Sequence, residues 1–147
     1  MQVTVLLMSA GKSARWNNHL GVVKQLAPID ETGRSIIGRN IELLRELGVE
    51  QFHVVSSNPA IINSLNGVSI LRPEKYEYLC QTILSTRSKW GQKTLILLAD
   101  VYYSKRCLIE MLEEPSSIKF FGIDKGAESI SLTGRRSEIF GMCFKPE

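Results

Sequence analysis

The run Thr94-Leu-Ile-Leu-Leu-Ala99 is the strongest constraint on how this chain folds. It is apolar at odd and even positions alike, so a strand here hides both faces. Such strands lie inside parallel sheets that carry helices on each side. The run ends at Asp100, a charge that must reach the rim of the sheet. Val3–Met8 is a second apolar, partly β-branched run, and it leads into the small residues Ser9-Ala10-Gly11.

Between such runs the apolar spacing switches to that of helices. Ile36, Ile37, Ile41, Leu44 and Leu47 line one helical face, with Ser35 as N-cap and Gly48 just past the end. Phe52–Val55 reads as a strand, Asn58-Pro59 opens a helix that stops near Gly67, and Val68–Leu71 reads as a short strand. A helix is expected over Tyr76–Trp90 with Leu79, Ile83 and Leu84 inward. Ser104 caps a helix to about Glu113, which Pro115 stops, and Ile118–Gly122 and Ile139–Phe144 are further strands. The alternation of strand and helix predicts a parallel sheet covered on both faces. Ile139–Phe144 is also a candidate exposed edge that pairs in a homodimer; the pattern leaves that open.

At 147 residues, one core and one domain are expected. A net charge of +3 is too small an imbalance to point to nucleic acid. The three cysteines, Cys80, Cys107 and Cys143, are widely spaced with no CxxC pair, which suits a reducing compartment and ordinary buried thiols. The opening apolar run lacks a basic n-region and is far below the ~18 residues of a membrane span. A cytoplasmic protein with no membrane partner is therefore expected.

In open α/β sheets, ligands bind beyond the carboxyl ends of the strands. Two segments there carry chemistry. The loop Ser9-Ala10-Gly11-Lys12-Ser13-Ala14-Arg15 combines small residues, whose amides phosphate can approach, with two cations. That mixture suits a triphosphate better than a neutral ligand. It is not a P-loop, because Leu6 stands where that motif needs its first glycine, and GxGxxG is absent. Asp100 suits a hard cation such as Mg²⁺, which takes one or two carboxylates plus phosphate oxygens and water. Lys24, in Val23-Lys24-Gln25-Leu26, is an unremarkable loop cation by itself. Trp16 reads as a loop anchor and His53 as an ordinary strand residue.

Taken in order, these segments resemble the nucleotidyltransferases that make activated sugars and related NDP compounds. That family opens with a strand and A-A-G-x-G-x-R, followed by P-K-x-L, a glycine before a helix, and a strand ending in aspartate. The matching stretches here are Ser9–Arg15, Val23–Leu26, Gly33–Ile37 and Leu97–Asp100, with Ser13 and Val23 departing from the family's glycine and proline. The resemblance implies a Rossmann-like three-layer α/β/α fold with a mostly parallel sheet, of the nucleotide-diphospho-sugar transferase type.

It also implies roles. Ser9, Ala10, Gly11, Lys12 and Ser13 would cradle the nucleotide, and Arg15 and Lys24 would act on the phosphates at the reacting centre. Asp100 would hold Mg²⁺, and the stretch at Gln81 and Thr82 would touch base and ribose. The implied reaction transfers an NMP group from an NTP to a phosphorylated acceptor, a sugar phosphate, and releases pyrophosphate. Family members usually run beyond 200 residues, and their later half supplies much of the acceptor site. Asp124, Glu128 and Glu138 are acidic residues of the later stretch, and nothing in the sequence sets any of them facing Asp100. Two alternatives stay open: a non-catalytic nucleotide-binding relative, and an NDP-sugar glycosyltransferase. The latter usually shows D-x-D, where this chain has Asp100-Val101-Tyr102.

Overall fold

A computed structural model describes residues 3–11, 16, 20–123 and 138–146. The strands are β1 (Val3–Met8), β2 (Gln51–Val55), β3 (Ile70–Leu71), β4 (Lys93–Leu98), β5 (Ile118–Ile123) and β6 (Glu138–Phe144). The helices are α1 (Ile36–Glu46), α2 (Pro59–Ser64), α3 (Leu79–Ser85) and α4 (Lys105–Glu113), with 3₁₀ turns at Lys24–Leu26 and Arg87–Lys89. The six strands form one sheet in the order β3-β2-β1-β4-β6-β5. β1 pairs in parallel with β2 and with β4, while β6 runs antiparallel to both β4 and β5. The mostly parallel α/β architecture expected from the sequence is what the chain adopts.

The caps explain why the helices begin where they do. The side chains of Ser35, Asn58 and Ser104 accept hydrogen bonds from the amides of Gly38, Ala60 and Cys107, satisfying donors at the starts of α1, α2 and α4. Gly48 ends α1 at φ 72°, a left-handed conformation that costs glycine little. Alternate residues of the central strands then face two layers. Val5, Leu7, Leu95 and Leu97 are buried with Ile37, Ile41 and Leu44 of α1, Ile61 of α2, and Leu108 and Met111 of α4. Leu6, Met8 and Ile96 face the other side, with Ile83 of α3 and Trp90 packed against them.

Three expectations are corrected. The helix expected over 76–90 shrinks to α3, and Leu79 and Leu84 are exposed rather than inward. Its buried face is made of Thr82 and Thr86 beside the half-buried Ile83. The hydroxyls of Thr82, Ser85 and Thr86 donate back to the carbonyls of Tyr78, Gln81 and Ile83. Hydroxyl side chains that compete for backbone groups weaken helix interiors, which accounts for the short α3 and the 3₁₀ turn beyond it. The second correction concerns Ile139–Phe144, which is not an edge. It lies inside the sheet between β4 and β5, and β5 flanks it on the outer side.

Lys93 is fully buried at the start of β4, at a position the apolar pattern disguised. Its ammonium donates to the carbonyls of Leu112 (2.7 Å) and Glu114 (2.6 Å) at the end of α4. Those carbonyls would otherwise lack partners, and the positive charge complements the helix dipole there. The third correction concerns the thiols, all of them free: Cys143 is buried as expected, but Cys107 is only half-buried and Cys80 is exposed on α3, next to the exposed Leu79. Among the described residues no helix is long and apolar enough to cross a membrane.

Lys93→Met keeps the apolar stem but orphans both carbonyls. It is expected to lower stability by about 2–4 kcal/mol in urea unfolding. A second expectation concerns His53, whose ring contacts Ser69 Oγ at 2.7 Å. Burial, with the charge of Lys89 as a smaller cause, holds its pKa below the usual 6.5. The folded state therefore favours neutral imidazole, and the unfolded chain takes up the proton first as pH falls. The contribution of His53 to stability is complete above pH 6.5 and is lost as pH drops through that value toward the lower folded one. His53→Gln should flatten that decline, read as urea midpoints at about pH 7 and about pH 5.5.

Candidate functional site

The strand order reverses between β1 and β4: from β1 the chain moves outward to β2 and β3, then crosses back to β4. Such a switch point opens a crevice at the carboxyl ends of the two strands. The two ends are laced together there. The Ala99 amide donates to the Met8 carbonyl at 3.0 Å, and the Ser9 amide donates to the Val55 carbonyl at 2.9 Å. Ser9 is buried with its hydroxyl unpaired, although its carbonyl accepts from Ser56 Oγ at 3.3 Å. Beyond it, among the described residues, the amides of Ala10 and Gly11 donate to no other group. A Cβ at Gly11 would meet open space. Lys12, Ser13 and Arg15 lie outside the described residues.

Lys24 and Asp100 come from distant parts of the chain and meet at this rim. Lys24 Nζ stands 2.9 Å from Asp100 Oδ2, with side-chain exposures of 41% and 25%. Lys24 opens the 3₁₀ turn that precedes α1, and the turn is tied to the helix by the Ile36 amide donating to the Ala27 carbonyl. Trp16 braces the preceding stretch, its indole donating to the Val22 carbonyl at 2.8 Å, as an anchor would.

The backbone around Asp100 is held by groups that sequence reading did not single out. Tyr103 is buried, and its hydroxyl accepts from the Leu98 amide at 3.0 Å while donating to the Phe140 carbonyl at 2.6 Å. Burial pushes its phenol well above the ordinary range, so the hydroxyl keeps its proton. Asn40 of α1 donates to the Val101 carbonyl at 2.9 Å, and Arg39 donates to the Tyr103 carbonyl at 2.6 Å. The Arg39 guanidinium also lies 3.8 Å above the ring of Tyr102. The legible signal for Asn40 is its position: an amide on the same helical face as Ile37, Ile41 and Leu44.

α3 begins after the carboxyl end of β3 and so belongs to the same rim. Gln81 lines an open cavity of about 480 Å³ with Lys75, Tyr76 and Glu77. Thr82 is buried, and its hydroxyl is bonded within the helix to the Tyr78 carbonyl at 3.2 Å. Among the described residues no three His, Cys, Asp or Glu side chains cluster as a metal cage. Asp100 thus supplies one carboxylate, a donor set that fits a hard cation arriving with phosphate oxygens and water rather than one caged by protein. Glu138 lies on β6, paired across the sheet with Ile123 of β5. Asp124 and Glu128 fall outside the described residues.

No family model and no curated protein matches the sequence. Solved structures do match the fold. The inositol-1-phosphate CTP transferase from T. maritima superposes with a TM-score of 0.66 at 15% identity, over 99% of this chain and 71% of that one. A nucleotidyl transferase from Methanothermobacter gives 0.65 at 16%, over 98% and 71%. Rv0371C from Mycobacterium tuberculosis, in complex with manganese, gives 0.65 at 14%, over 99% and 71%. The chain shares its fold, a mostly parallel sheet with helices on both faces, with these solved structures, of which one is named a nucleotidyl transferase and one a CTP transferase.

Proposed function

We propose that this protein binds a nucleoside triphosphate with a divalent cation at the carboxyl rim between β1 and β4. There it transfers the NMP group to a phosphorylated acceptor, a sugar phosphate, and pyrophosphate leaves. The observation that carries this reading is the pairing of Lys24 with Asp100 at 2.9 Å across the switch point. A cation donor and a carboxylate side by side are what a triphosphate with its counter-ion requires. The solved neighbours support it by the chemistry their names carry: CTP transfer to inositol-1-phosphate, nucleotidyl transfer, and bound manganese.

The chemistry needs no protein nucleophile. An acceptor phosphate oxygen attacks the α-phosphorus, and a P–O bond forms as the bond to the bridging oxygen of pyrophosphate breaks. The obstacle is repulsion between two anions, and the protein's part is to align them and offset their charge. Lys24 presents an ammonium with three donors to the phosphates at the reacting centre. The amides of Ala10 and Gly11, at the carboxyl end of β1 and without partners among the described residues, suit phosphate oxygens. Lys12, Ser13 and Arg15 extend the same loop in sequence and share that role. Gln81, which lines an open cavity, would meet the base and ribose, and Thr82 would contribute by holding α3. Asp100 is the group that would hold Mg²⁺, which when bound neutralises phosphate oxygens.

The test is pyrophosphate release with each of four NTPs, Mg²⁺ and a series of sugar-1-phosphates, alongside calorimetric NTP binding. Turnover is expected with at least one pair. NTP binding without release would leave a nucleotide-binding module, and absence of binding would remove the site altogether. Asp100→Asn should abolish Mg²⁺-dependent turnover, and Arg15→Ala should weaken NTP affinity. A partly exposed ion pair contributes ~0–1 kcal/mol, so Lys24→Met and Asp100→Asn should each leave stability within about 1 kcal/mol of the parent in urea unfolding. A larger loss would make the pair a structural brace.

A further inference from the structure

Asp100 lies between two fixed peptides. Before it, the Ala99 amide is bonded to the Met8 carbonyl at 3.0 Å. After it, the Val101 amide donates to the Leu98 carbonyl at 3.3 Å, and the Val101 carbonyl accepts from Asn40 Nδ2 at 2.9 Å. Asn40 is almost wholly buried, and its Oδ1 has no partner. A buried unpaired amide oxygen costs roughly 1–3 kcal/mol, which an aliphatic residue of similar size would not carry. Its neighbours on that face, Ile37, Ile41 and Leu44, show what core packing alone selects. The side chain therefore stands where it does for the one bond it makes.

That bond has a consequence for both charges of the rim. The helix carrying Asn40 is tied at its first residue to the turn that bears Lys24, through Ile36 to Ala27 and the Pro28–Ser35 bridge. Arg39, next to Asn40, holds the Tyr103 carbonyl at 2.6 Å. One helix thus spans from the lysine's turn to the carboxylate's loop.

We propose that Asn40 is a positioning residue: by holding the Val101 carbonyl it fixes the direction of the Asp100 carboxylate, and α1 sets its distance from Lys24. This rests on the reading of Asp100 given above, and it concerns a residue that touches no ligand itself. Partners of this indirect kind change metal affinity by about 10–100-fold when removed. Asn40→Leu preserves volume and removes the donor, so it should weaken cation retention by about tenfold with Asp100 intact.

The probe is Mn²⁺, counted as free ion by electron paramagnetic resonance, alone and with each of four NTPs. The intact protein should retain Mn²⁺ with NTP, and Asp100→Asn should lose it. Asn40→Leu should fall between them, and Asn40→Leu added to Asp100→Asn should change nothing further. Unaltered retention in Asn40→Leu, or a full additional loss in the double variant, would overturn the positioning role while leaving the reading of Asp100 in place. No difference between the parent and Asp100→Asn would overturn both. If Asn40→Leu fails to fold, Arg39→Met, which frees the Tyr103 carbonyl from a half-exposed position, serves in its place. It should show a smaller loss that likewise vanishes in the Asp100→Asn background.

Discussion

Everything at the rim depends on the parallel contact between β1 and β4. Each strand is short, buried on both faces, and paired residue for residue with the other, from Val3 with Lys93 to Met8 with Leu98. Because the register is fixed, both strands leave the sheet at the same height. The next residues, Ser9 and Ala99, are therefore delivered side by side, and Asp100 follows one residue further along the rim. The polar groups of the site inherit their placement from an apolar pairing.

Around that pair the molecule divides its labour. α1, α2 and α4 bury the larger share of the core on one side of the sheet, whereas α3 and Trp90 cover the other. Over β6 and β5 the second layer thins, leaving Ile118 and Phe120 exposed while Phe144 is braced edge-to-face by Trp90 at 4.8 Å. The heavier layer is the one that grips the residues after β4, through Asn40 and Arg39.

Much of this was legible in the sequence. Thr94–Ala99 and Val3–Met8 announce buried strands, and Ser35, Asn58 and Ser104 cap the helices expected of them, because hydrophobic period and local capping act over a few residues. The meeting of Lys24 with Asp100 was implied only by resemblance, since no local rule relates residues so far apart. Leu79 and Leu84 misled because leucine marks an inward face only when packing decides, and in α3 the threonines took that face. Lys93 hid for the opposite reason: a charge at a core position is explained only by two carbonyls from another element. The alternation of strands and helices could not say which strand lies at the edge, so β6 was only a candidate for it, and β5 holds that place.

Lys93 also closes a ring. The backbone joins the carboxyl end of β4 to the start of α4, and the buried ammonium joins the end of α4 back to the start of β4. Strand and helix then open together or not at all, because parting them would expose a charge and two bare carbonyls at once. Amides of β4 should accordingly exchange with solvent only in the rarest, most global openings. For the rim this sets a division between stator and mover. Asp100 sits on the closed ring, so any change in its separation from the facing ammonium falls to the four-carbon stem of Lys24.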